Sequence, residues 1–216
     1  MAPRFTYLIF GATGGTGQHF VTQALSEGHY VRALVRDPMK VQTSHENLQV
    51  LQGSVTEARD MDTLVRGTDF AVVMLGDKEA QQKAKICTPF IKQLVPAMRR
   101  QGVKRLLYQA GGLSKPYGGQ LSTMLWVMRN TIARGFNGQH EDNEAVMEYL
   151  ATEAMDIEWI VHRAGIYGDG PSKGRLERSP TNFSIGNFRD CASYSYRVVL
   201  DASAVHTSDF SQYAKI

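Results

Sequence analysis

The chain has 216 residues, 43% hydrophobic and 21% charged, with a formal net charge of +3. That balance fits one folded domain with a sizeable core and excludes a disordered chain. Lys and Arg are scattered without a long basic run, which argues against nucleic-acid binding, and the two distant cysteines, Cys87 and Cys191, read as reduced intracellular thiols.

The amino-terminal "MAPRFTYLIFGATG" lacks the apolar length and cleavage site of a secretory signal. The longest apolar run, "FAVVML" at 70–75, is too short to cross a bilayer. A soluble, cytoplasmic protein without a membrane partner is expected. "TYLIFG" (6–11) reads as a buried strand, followed by a helix over 14–26 with Gly28 as its stop. Strands follow at 30–36 and 48–53, a short helix at 57–67, and a fourth strand at 70–76. Ile86, Phe90, Leu94 and Met98 recur every four residues and predict a helix over 79–101, in which Pro89 and Pro96 predict a kink or a late start.

"VKRLLYQAGG" (103–112) is the fifth strand, a glycine-rich loop follows, and a helix is predicted over 120–155 with a break at 135–138. A sixth strand occupies 157–165, a polar loop 166–192, a seventh strand 196–201, and a final helix 208–216 with Ser208 as N-cap. Alternating strands and helices predict an α/β, doubly wound parallel sheet of Rossmann type, built as one domain over 1–216. Segments 113–140 and 165–192 would form its substrate side. Ligands in such sheets bind beyond the carboxyl ends of the strands.

"FGATGGTGQ" (10–18) places Gly11, Gly14 and Gly17 between a strand and a helix. A pyrophosphate needs glycines for close backbone approach and the free amides of a helix start, so the context is right for a dinucleotide. The second strand ends "ALVRDP". Arg36, with Lys40 close by, suits a 2′-phosphate and predicts NADP over NAD, although Asp37 would favour NAD. No spacing of metal ligands is visible, so no metal is expected. His162 within "WIVHRAG" reads as a core histidine, and Trp126, Met124 and Met128 as core or as a soft wall for a flat ligand.

These motifs resemble the atypical short-chain dehydrogenase/reductase superfamily. More narrowly, they are similar to its NAD(P)H-binding group, which includes NmrA-like and biliverdin-reductase-B-like flavin reductase proteins. "GATGGTG", "ALVRDP", "GVKRLLYQAGG" and "EAVMEYLATEAMDIEWIVHRAG" carry the resemblance over nearly all of residues 5–213. It implies cofactor contacts at Gly11, Thr13, Gly14, Gly15, Thr16, Gly17, Arg36, Lys40, Ser54, Val55, Leu75, Gly76, Ala110, Gly111, Arg163 and Gly165. There are departures. The group's Gly-Asp at the third strand end is Gly53-Ser54, its fifth-strand serine is replaced within "YQAGG", and Ala164 stands for the proline after Arg163. Aligned on Glu144, Phe136 and His140 occupy the positions of the superfamily's Tyr and Lys.

Phenylalanine cannot donate a proton, so His140, Tyr117 and Ser114 are the candidate catalytic residues. The expected function is NADPH-dependent reduction of a small conjugated or carbonyl-containing substrate, aided by positioning. The alternatives are an NmrA-like redox sensor that passes the NADP state to a protein partner, and a non-redox isomerase or cyclase on the same fold.

Overall fold

The computed structural model describes residues 3–57 and 60–215. Strands β1 (Thr6–Phe10), β2 (Tyr30–Val35), β3 (Leu48–Gln52), β4 (Phe70–Val73), β5 (Arg105–Gly111), β6 (Glu158–Ile166), β7 (Leu176–Ser179), β8 (Ile185–Gly186) and β9 (Thr207–Tyr213) form one sheet. Its order is β3-β2-β1-β4-β5-β6-β9-β7, with β8 also pairing to β6. Every pairing is parallel except β7 with β9. The chain reverses its direction of growth between β1 and β4, and that switch point is where such a sheet opens a crevice.

Helices α1 (Gly15–Ser26) and α7 (Phe188–Val198) cover one face. Helices α2 (Met61–Val65), α4 (Cys87–Gln101) and α6 (Asn137–Glu153) cover the other. The strands are apolar on both sides because both sides are covered. In β1, Tyr7 and Ile9 pack with Phe20 and Val21 of α1, while Leu8 and Phe10 pack with Phe90 and Leu94 of α4. Each such fully buried side chain contributes roughly 1.5–3 kcal/mol.

The long helix predicted over 79–101 is two helices, α3 (Lys78–Lys83) and α4. The late start that Pro89 predicts is present, and its cause lies elsewhere in the chain. Asp142 of α6 is fully buried and accepts from the amides of Ile86, Cys87 and Thr88 at 2.8–2.9 Å, completing the amino end of α4. Gln81 Nε2 and Thr88 Oγ1 donate to the same carboxylate at 2.9 and 2.7 Å. The predicted break in 120–155 falls between α5 (Thr123–Asn130) and α6. The helix predicted over 57–67 is confined to α2, and its residues 58 and 59 lie outside the described residues.

Two carboxyl-terminal expectations are corrected. The first half of "YRVVLD" is the end of α7, whose buried positions Cys191, Ala192, Tyr194, Ser195 and Val198 follow a helical face capped by Asn187. Residues 208–213 are not a helix begun by Ser208 but most of β9, inserted between β6 and β7, and residue 216 lies outside the described residues. His162 is a core residue as expected. It is 1% exposed, its ring nitrogens are 3.0 and 2.9 Å from the hydroxyls of Ser195 and Ser211, and burial pulls its pKa down to about 3. Both cysteines are free and buried. No helix among the described residues is long and apolar enough to cross a membrane.

Candidate functional site

The loop between β1 and α1 turns on glycine. Gly11 has φ +91°, a conformation that costs other residues strain, and a Cβ there would overlap the Met74 carbonyl. A Cβ at Gly17 would overlap the Gly11 carbonyl, so these two glycines close the bend. Gly14 is exposed and caps α1 with no side-chain acceptor, and no acidic residue stands in the first turn. Helices α2, α3, α5 and α7 each begin instead on a side-chain cap, at Asp60, Asp77, Ser122 and Asn187. The amino end of α1 therefore keeps its partial positive charge for an anion.

From this loop a crevice runs in two directions. One half, about 620 Å³, lies over the ends of β2 and β3. It brings together Gly11, Thr13, Gly14, Arg36, Lys40, Ser54, Val55, Leu75 and Gly76, nine of the residues that the sequence singles out. Arg36 is exposed and its guanidinium lies 3.5 Å from the Asp77 carboxylate. Asp37 faces a different task, because its carboxylate accepts from the Met39 amide at 3.0 Å and caps a short turn. Ile86 and Cys87, at the start of α4, also line this half and were not singled out. Burial pushes the Cys87 thiol up to about 12, which keeps it protonated.

The second half, about 390 Å³, lies over β5 and β6 and shares Gly14, Met74, Leu75 and Gly76 with the first. It includes Gly15, Thr16, Ala110 and Gly111, as the sequence implies. The rest of the wall includes residues not singled out as contacts, the amides of Gln109, Gln139 and Asn143 and the Phe188 ring, together with Phe136, which stands at the position of the superfamily's Tyr. Gln139 Nε2 lies 2.7 Å from where a Cβ on Gly76 would sit, and the Phe188 ring 2.5 Å from one on Gly15. Asn143 is 1% exposed; it accepts from the Tyr108 hydroxyl at 2.6 Å and donates to Ser114 Oγ at 3.3 Å. No Asp, Glu, Lys, His, Cys or Tyr side chain is among the described residues lining this half.

The three expected catalytic residues are not part of that wall. Ser114 is fully buried, and its hydroxyl is occupied by Asn143. Tyr117 is 54% exposed on the loop after β5 and lines neither half. His140 lies beneath Gly111, its Nδ1 3.9 Å from where a Cβ there would stand, and neither ring nitrogen has a hydrogen-bond partner among the described residues. Burial is the main reason its pKa falls to about 4; Arg129 adds to the shift and Glu144 opposes it. The imidazole is neutral at neutral pH and cannot act as a charged acid.

Arg163 and Gly165 also stand apart from the crevice. The Arg163 guanidinium stacks 3.7 Å from the Phe210 ring centroid and donates to the carbonyls of Ser208 and Ser114. A Cβ on Gly165 would meet the Phe183 ring, which identifies it as a packing glycine. Trp126 and Met124 form no wall either, being 58% and 63% exposed on α5. Among the described residues no cluster of His, Cys, Asp and Glu is placed to hold a metal.

Residues 11–188 match a protein family described as NAD(P)H-binding. A 3β-hydroxysteroid dehydrogenase/Δ5→4-isomerase of Mycobacterium tuberculosis is 28% identical over 183 residues, covering 76% of this chain and 47% of that protein. The chain thus spans about half the length of the curated relatives it matches first. Among solved structures, a candidate epimerase from Bacteroides thetaiotaomicron superposes with a TM-score of 0.77 at 18% identity, covering 99% of both chains. A short-chain dehydrogenase/reductase from Veillonella parvula gives 0.74 at 15% identity, covering 98% of this chain and 95% of that one. At these identities the two structures speak for the fold.

Proposed function

The chain belongs to the NAD(P)H-binding family, in the atypical short-chain dehydrogenase/reductase group that its motifs resemble, and from that premise we propose an NADPH-dependent oxidoreductase acting on a flat, conjugated acceptor. The observation that carries this reading is the wall over β5 and β6, whose described residues supply amides, backbone, aliphatic and aromatic side chains and one threonine hydroxyl, with no titratable side chain. Bound nicotinamide would supply a hydride there, and an acceptor that settles its new charge by delocalisation, drawing its proton from water, matches such a wall. An isolated aldehyde, which needs a proton as the hydride arrives, does not.

The residues present fit the cofactor. Gly14 and the uncapped amides of α1 would hold the pyrophosphate, the crevice over β2 and β3 would take the adenosine end, and Gly15, Thr16 and Gly111 would border the nicotinamide. NADP is preferred to NAD because the exposed Arg36 guanidinium lines the crevice, beside Asp77, while the Asp37 carboxylate is turned to its own backbone. Gln139, Asn143 and Phe188 would orient the ring and limit its access to water, a contribution of positioning. The dehydrogenase named for the mycobacterial relative supports an oxidoreductase in general.

The test is to titrate NADPH and NADH, then to follow NADPH oxidation with quinones, flavins and aldehydes. Tight NADPH binding with turnover of quinones or flavins, and little with aldehydes, is the expected result. Binding without turnover on any acceptor overturns the enzyme reading in favour of a sensor of the NADP state. The missing proton donor is the observation that favours that second reading.

A further inference from the structure

A second cavity, about 360 Å³, lies away from the crevice, between α7 and the loop that enters β7. Arg175, Arg189 and Arg197 all line it. Among the described residues, none of the three makes an ion pair. The one acid in the wall, Asp190, is 4% exposed, and its Oδ2 accepts from the Lys173 amide at 2.9 Å and the Tyr213 hydroxyl at 2.7 Å. The cavity therefore carries an excess of positive charge. We propose that this cavity is a binding site for a small phosphorylated solute, recognised through the guanidinium groups of Arg175, Arg189 and Arg197.

Three features support the assignment. Arg189 stands in the first turn of α7, where the helix dipole disfavours a cation. Arg189, Ser193 and Arg197 follow one another at four-residue spacing, which places both arginines and the serine hydroxyl on one face of α7, toward the cavity they line. Arg197 is pre-set: it donates to Ser193 Oγ at 2.9 Å and to the Leu176 carbonyl at 2.7 Å. Its pKa is lowered first by burial and then by Arg175, so the two guanidiniums already feel each other. Planar guanidiniums pair bidentately with phosphate oxygens, which makes phosphate the natural counter-charge.

The test measures melting temperature against pyrophosphate and inorganic phosphate, with sodium chloride matched for ionic strength. It uses the wild-type chain, the double variant R175Q/R189Q and the crevice variant R36A. Saturable stabilisation beyond chloride is expected in the wild type and in R36A with the same half-point. The double variant should require anion concentrations about tenfold higher for each arginine removed. Without anion it should melt at or slightly above the wild-type temperature, since both substituted arginines are exposed and Arg175 repels Arg197. No saturable shift beyond chloride in the wild type overturns the proposal. So does a shift with an unchanged half-point in the double variant, which would place the anion elsewhere, or one that disappears in R36A alone, which would place it in the crevice beside Arg36.

Discussion

Over β2 and β3 the crevice presents Arg36, 77% exposed and beside Asp77; over β5 and β6 it presents Asn143, 1% exposed and held by Tyr108 and Ser114. The first half offers charge and open backbone, and it is assembled mainly from the strand ends and the starts of α3 and α4. The second is uncharged, and β5, β6, α6 and α7 each contribute to it. The difference separates two tasks. Gripping a polyanion takes a helix start and a cation, whereas aligning a flat ring takes rigid amides and aromatic faces.

The strongest way to break this division is to attack what joins the halves. Asp142 caps the helix that floors the first half and stands next to Asn143 of the second. Asp142→Ala strands its buried donors, and urea unfolding should report a loss of about 3 kcal/mol or more. NADPH binding and turnover should fall together. A loss below about 1 kcal/mol would show that the two halves stand independently.

Acid should act along the same seam. Burial alone would raise the Asp142 pKa, but donors from Gln81, Thr88, Cys87 and Ile86 outweigh it and hold it below the usual range. Its contribution is therefore present above about pH 4 and lost as pH falls through the lower folded value. His140 and His162 act earlier. Burial depresses them to about 4 and about 3, so below about pH 6.5 the unfolded chain binds more protons and stability falls as the solution is acidified. Urea midpoints measured from pH 7 to pH 4 should decline, with a shallower slope in His140→Ala. An unchanged slope in that variant would show that His140 is not held neutral by burial.

A narrower cut separates the halves by ligand. Arg36→Ala should raise the dissociation constant for NADPH about tenfold or more and that for NADH less than about twofold, measured by fluorescence titration. Equal weakening would mean that Arg36 does not read the 2′-phosphate. The smallest expected effect is catalytic: His140→Ala should keep turnover within about threefold, with no pH step near neutrality lost from the profile. A hundredfold loss would restore a proton-transfer role to the second half.

The first half was legible because its residues are contiguous in the chain. Gly11 to Gly17 and Arg36 to Lys40 are short stretches whose spacing has one physical reading. The second half was not, because Gln109, Gln139, Asn143 and Phe188 meet only through the sheet order, and no local pattern marks a glutamine as facing a crevice. Arg163 shows the converse. Placed by resemblance beside the cofactor, it is drawn into the core by Phe210 and two carbonyls. The parallel sheet was readable from runs apolar on both faces. The end of the chain was not, because "YRVVL" is short and apolar enough to suit a strand or a buried helix end. Only the cap at Asn187 and the insertion of β9 decide it.

The cap on α4 also sets an order of events during synthesis. Cys87 is bonded to a carboxylate 55 residues further along, so the amino end of this helix emerges long before its partner exists. At typical elongation speeds that delay is about 3–10 seconds. Through it, the apolar stripe of Phe90, Leu94 and Met98 has neither α6 to complete the cap nor the later strands to cover it. The nascent chain should present its most chaperone-susceptible surface in that interval and lose it when Asp142 docks.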